Sequence, residues 1–118
     1  MYLHCVDFRG ANLTGSDLSR SNIDGADMSG ATIQDTALGS SNMQGVNLTS
    51  AKFEPFDLMA AEFLNDISGL KQLNVDPTDL SEIRKLIKHF EDAGYSASAA
   101  EVNFAMEHAV TQGKAERW

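Results

Sequence analysis

Three histidines, one cysteine and a scatter of carboxylates are the side chains in this chain with the chemistry to catalyse a reaction or hold a metal. His4, His89 and His108 have no second ligand at the i, i+4 spacing that would put two on one helix face. Nor is there a Cys-x-x-Cys pair, so no metal centre is expected. Cys5 has no sequence-local basic partner and reads as a turn residue rather than a nucleophile. As the only cysteine it has no partner for an intrachain disulfide. No glycine-rich loop precedes a helix, so a phosphate cradle is unsupported. The many Ser and Asp residues could mimic parts of a catalytic triad by chance, and read better as outward or turn residues. Neither an enzyme nor a cofactor is expected.

Charge narrows the partners. Seventeen acids against nine bases give a net charge of −8 and a pI near 4.6. Direct binding to nucleic acid or to an anionic membrane needs a basic surface, so both are excluded and a basic partner is left open. Arg84, Lys85 and Lys88 form a small basic patch, read as the solvated face of a helix. No apolar run approaches the roughly 20 residues of a membrane span. The first residues lack the basic and apolar regions of a secretory signal. A soluble, cytoplasmic protein is the expectation.

The elements that must position these side chains follow from a repeat. Large apolar residues occupy every fifth position from Leu3 through Phe8, Leu13, Leu18, Ile23, Met28, Ile33, Leu38, Met43, Leu48, Phe53 and Leu58 to Phe63. Two residues before each lies a residue that is usually small, such as Ala11, Ser21, Ala26, Ala31 or Ala51. Between the two sets sit mainly Asp and Asn. On an α-helix a step of five rotates a stripe by about 140° net, so no single face collects these residues. A chain that turns a corner every five residues does collect them. The large and small residues then share the inner face, as strand alternation requires, and the Asp or Asn faces out. Four such sides close a square of 20 residues. The predicted columns are Leu3, Ile23, Met43 and Phe63; Phe8, Met28 and Leu48; Leu13, Ile33 and Phe53; and Leu18, Leu38 and Leu58.

Ala11-Asn12-Leu13-Thr14-Gly15, Ser21-Asn22-Ile23-Asp24-Gly25 and Ala26-Asp27-Met28-Ser29-Gly30 resemble the pentapeptide-repeat family over about residues 1–65. The resemblance implies a right-handed quadrilateral β-helix, here of about three coils, in a mainly β-solenoid fold. Lys52, Pro55, Phe56 and Glu62 depart from the pattern, which suggests that the last coil loosens there. Residues 66–118 are expected to form a helical cap and an α-helical hairpin tail. Asp66 to Leu73 reads as a short helix. Asp76 is the expected N-cap, with Pro77 at the first helical position, of a helix running to about Ala93 and stopped by Gly94. Leu80, Ile83, Ile87 and Phe90 make its apolar face. A second helix is expected from Ser96 or Ser98 to about Gln112, packing through Ala97, Ala100, Phe104, Ala105 and Val110. The stretch around Phe90 to Phe104 resembles a tetratricopeptide-like hairpin.

Three surfaces follow. Met1, Tyr2, Leu3 and Phe8 line the first coil, with no capping segment before them, and are expected to stack two chains end to end as a homodimer. The outward acids Asp7, Asp17, Asp24 and Asp27 form the acidic surface. Some family members mimic duplex DNA and bind DNA gyrase, so a gyrase or topoisomerase modulator is the alternative function. Arg9 and Arg20 interrupt the acid, however, and no unbroken anionic ridge appears. The favoured expectation is a non-catalytic protein-interaction or scaffold module, with the β-helix as spacer and the hairpin as docking element for a protein partner.

Overall fold

The computed structural model describes residues 3–57 and 63–116. Met1, Tyr2, Leu58, Glu62 and the rest of 58–62 lie outside the described residues, as does Trp118.

The five-residue period becomes a β-solenoid. Backbone pairing is parallel and links residues one coil apart: Asp7 with Asp27, Asn12 with Thr32, Asp17 with Ala37, Asn22 with Asn42, and Asp27 with Asn47. Strands β1 (Thr32–Gln34) and β2 (Lys52–Glu54) continue the same ladder, with Ile33 opposite Phe53. Large inward residues donate their N–H to the coil below, as Phe8 does to Asp27 O at 2.8 Å and Met28 to Asn47 O at 2.9 Å. The corners are closed by turns such as Ala11 N–H to Phe8 O at 3.0 Å. The residue before each closing N–H is left-handed, including Cys5, Arg20, Ser40 and Ser50, with φ between 54° and 61°.

The outward Asp or Asn serves the same corner. The Asp17 carboxylate accepts from Ser19 N at 2.9 Å and Ser19 Oγ at 2.5 Å. Asn12, Asp27 and Asn47 repeat this with Thr14, Ser29 and Thr49. These side chains replace the hydrogen bonds that the bent backbone forgoes, which is why short acceptors recur there.

Ile23, Met28, Ile33, Leu38, Met43, Leu48 and Phe53 are buried, as the columns require. Each such side chain contributes about 1.5–3 kcal/mol. The small inward positions accept hydroxyls only where a carbonyl is in reach: Ser41 Oγ donates to Leu38 O at 2.7 Å and Thr36 Oγ1 to Leu13 O at 2.8 Å.

The last coil departs from the predicted register. Met43 N–H donates to Phe63 O at 3.2 Å, where the upper coils bond the residue before the next core position. Leu64 is therefore the buried residue under Met43, and Phe63 is only half-buried. One extra residue has entered the coil, and adjacent Phe63 and Leu64 satisfy the apolar pattern equally well. Phe56, a departure from the pattern at a position that elsewhere carries a small inward residue, is 78% exposed. Pairing of this kind continues past residue 65, through Leu48 N–H to Ser68 O at 2.8 Å and Asn74 N–H to Ala51 O at 2.9 Å.

In place of the expected helix from Asp66, a 3-10 turn spans Leu70–Gln72. Leu64, Leu70 and Leu73 are buried and close the tube. Helix α1 (Ser81–Asp92) begins later than the Asp76 cap implied. Asp76 instead holds a turn, accepting from Thr78 N at 2.9 Å and Thr78 Oγ1 at 2.6 Å. Asp79 does the capping work, accepting from Ser81 N at 3.1 Å. Ile83, Leu86 and Phe90 are the buried face of α1, while Leu80 and Ile87 are half-buried. Helix α2 (Ser96–Glu116) buries Ala99, Val102 and Ala105; Ala97 and Ala100 are exposed and Phe104 is 54% exposed. Alanines line α2 on several sides, so the sequence did not fix which face turns inward. One apolar cluster runs from Leu18 through Phe53 and Leu70 to Phe90 and Val102, so the helices share the solenoid's core.

Candidate functional site

The corner at which α1 crosses the solenoid wall leaves a groove of about 500 Å³. The wall supplies Asp35, Glu54, Pro55, Phe56 and Asp57, and α1 supplies Glu82, Lys85, Leu86 and His89. Pro55 has no N–H for the ladder, and the chain beyond it swings the Phe56 ring outward. Four carboxylates thus face one lysine and one histidine around an apolar floor. Lys85 Nζ is engaged by Glu82 at 3.1 Å. Burial pushes the Glu54 carboxyl above its ordinary range; Lys52 opposes this, and Glu82, Asp79 and Asp76 add to it. His89 Nε2 is buried with no hydrogen-bond partner among the described residues. A groove of this composition favours a cation with an apolar stem.

A second groove of about 560 Å³ lies between the cap and α2, lined by Lys71, Leu73, Val75, Phe104 and His108. Lys71 Nζ sits 5.7 Å from the Phe104 ring centroid, and His108 stacks on the same ring at 6.3 Å.

The acids singled out in the sequence are dispersed. Asp7 and Asp27 do lie one coil apart on one face, but Arg9 intervenes. It bonds Asp7 Oδ2 at 2.9 Å and lies 3.9 Å from Asp27 Oδ2. The hydrogen bonds from Arg9 hold the Asp7 carboxyl down at about 2. Asp17 shares a face with Ala37 and Asp57, and its carboxyl is held low by the Ser19 hydroxyl. Asp24 faces His4, whose Nδ1 lies 2.6 Å from Asp24 Oδ2. Leu3 and Phe8 are half-buried against the core, while Met1 and Tyr2 fall outside the described residues. Arg84, Lys85 and Lys88 are exposed on α1, and Lys88 pairs with Asp92 at 3.3 Å, so acids lace the basic patch.

Cys5 is the turn residue expected, left-handed at φ 54°, but the expectation that it lacks a sequence-local basic partner is overturned. His4 is its basic partner, with Nε2 3.2 Å from Cys5 Sγ. Coil arithmetic carried the signal for the third member, because Asp24 lies one coil beneath His4. Among the described residues no cluster of three metal-ligating side chains is suited to an ion, and no helix is long and apolar enough to cross a membrane.

A parallel ladder repeating at one-coil intervals, with turn-capping Asp and Asn on its wall, defines a repeat solenoid carrying a helical appendage. Residues 2–38 match the pentapeptide-repeat family in eight copies. No curated protein and no solved structure matches the chain.

Proposed function

We propose that the chain is a non-catalytic protein-interaction module. In this reading the solenoid is a right-handed quadrilateral β-helix of about three coils that acts as a rigid spacer. The groove where α1 meets its wall docks a basic segment of a protein partner. The repeat family supports an interaction role in general. The observation that carries this reading is the pairing of a 78%-exposed Phe56 with Asp35, Glu54 and Asp57 in one groove. An arginine placed there gains carboxylate bonds and the face of an aromatic ring together.

The test uses a short peptide alternating arginine and leucine, titrated calorimetrically into the whole chain. Binding that weakens with salt and is lost on Phe56→Ala with Asp57→Asn supports the reading. Absence of binding, or equal binding of a glutamate-for-arginine peptide, rejects it.

The gyrase alternative draws less support, because Arg9 bonds Asp7 and approaches Asp27 on the face where a DNA-like ridge would need them free. End-to-end self-association through the first coil belongs to the same proposal. Leu3 and Phe8 are half-buried there, while Ile23 and Met28 one coil below are sealed. Light scattering that finds only monomer across the micromolar range removes the homodimer.

A further inference from the structure

We propose that Cys5, His4 and Asp24 form a nucleophilic thiol site that exchanges with small disulfides. Three side chains from two coils meet in a line. Asp24 Oδ2 lies 2.6 Å from His4 Nδ1, and His4 Nε2 lies 3.2 Å from Cys5 Sγ. A carboxylate at Nδ1 holds the proton on that nitrogen and leaves Nε2 as an acceptor. Nε2 is then placed to take the thiol proton, and the carboxylate stabilises the imidazolium that results. The other carboxylate oxygen, Asp24 Oδ1, is buried with no hydrogen-bond partner among the described residues, so the hydrogen bond that holds this carboxylate at the site is the one to His4.

The fold keeps the sulfur accessible. Cys5 is exposed at a left-handed corner with φ 54°. Gly25 lies beneath it, and a Cβ there would stand 3.1 Å from Sγ. A side chain at 25 would press on the sulfur and push it aside by a few tenths of an ångström.

The step balances with a disulfide as the only co-reactant. The Sγ proton passes to His4 Nε2, and the thiolate attacks one disulfide sulfur. A new S–S bond to Cys5 forms as the old one breaks. The departing thiolate takes the proton back from the imidazolium. Cys5 is oxidised and the released half is reduced. The chain has no second cysteine, so the reaction stops at a mixed disulfide. The site is therefore one of stoichiometric modification.

Hydroxyethyl disulfide, a small neutral probe, tests this on the whole chain at pH 7, with intact mass as readout. Cys5 is expected to react about tenfold faster than N-acetylcysteine amide in the same buffer. His4→Gln should return the rate to that of the free thiol. Asp24 is a positioning residue: Asp24→Asn should slow the native chain several-fold yet change nothing in the His4→Gln background. A native rate no greater than that of the free thiol overturns the proposal whatever the variants do. So does a His4→Gln chain that keeps both its far-UV circular dichroism and its speed.

Discussion

Gly69 lies directly against the backbone of Thr49: a Cβ at position 69 would stand 2.7 Å from Thr49 Cα and overlap Thr49 N. The last coil approaches the one above it there without room for a side chain, and Gly69 is also left-handed at φ 84°. Gly69→Ala should therefore lower stability by about 2–4 kcal/mol, the sum of a left-handed cost and an overlap with backbone that cannot move aside. Gly10 is left-handed at φ 67° with open space around it, so Gly10→Ala should cost only about 1–2 kcal/mol. Denaturant melts of the two variants separate the terms, and equal losses would show that the close approach at Thr49 does not hold.

Ile33→Ala should cost about 2–5 kcal/mol, because Ile33 itself is fully buried and the cavity opens between half-buried Leu13 and buried Phe53. A loss under 1 kcal/mol would mean that the tube is not tightly filled. Phe56→Ala, at an exposed ring, should stay within about 0.5 kcal/mol.

The phase of α2 is open to direct test. Ala99→Glu places a charge at a buried position and should lower the melting temperature, whereas Ala100→Glu on the exposed side should leave it nearly unchanged. The reverse order would rotate the helix.

Acid should weaken the fold. Asp7, Asp17, Asp76 and Asp79 all have carboxyls lowered in the folded chain by hydrogen bonds from Arg9, Ser19, Thr78 and Ser81. A lowered carboxyl favours the fold at pH above its unfolded value near 3.8, and that contribution fades as pH falls, for Asp7 toward about 2. Melting temperature should decline through this window. Glu54 works in the opposite sense, since its raised value opposes the fold when it is ionised. Glu54→Gln should raise the melting temperature at pH 7, with the gain vanishing below about pH 4. A gain that persists at pH 3 would place its cause outside the carboxylate's charge.

The solenoid was legible because its period matches no other element: apolar residues at a constant five-residue spacing admit a cornered chain and little else. Legibility ended where two residues satisfied the pattern equally. Phe63 and Leu64 are both large and apolar, and only the backbone shows that Leu64 lies under Met43. In α2 the alanines at 97, 99, 100 and 105 offer competing faces, and the choice is made by the surfaces of α1 and the cap. Asp76 and Asp79 are equally good caps, and Thr78 diverts the first into a turn. The groove was hidden because it depends on where α1 crosses the wall, which no spacing encodes. The Cys5 site was hidden for a simpler reason: His4 and Asp24 are neighbours only after one full coil has been counted.

The parallel one-coil ladder also makes the solenoid a ruler. Inserting 20 residues of matching pattern adds one rung, moves the helices roughly 4.8 Å along the axis and restores their bearing. Inserting five would swing them to the adjacent wall while advancing them only about a quarter of that distance. Reach and heading of whatever the helices grip are thus separately adjustable through the number of repeats alone.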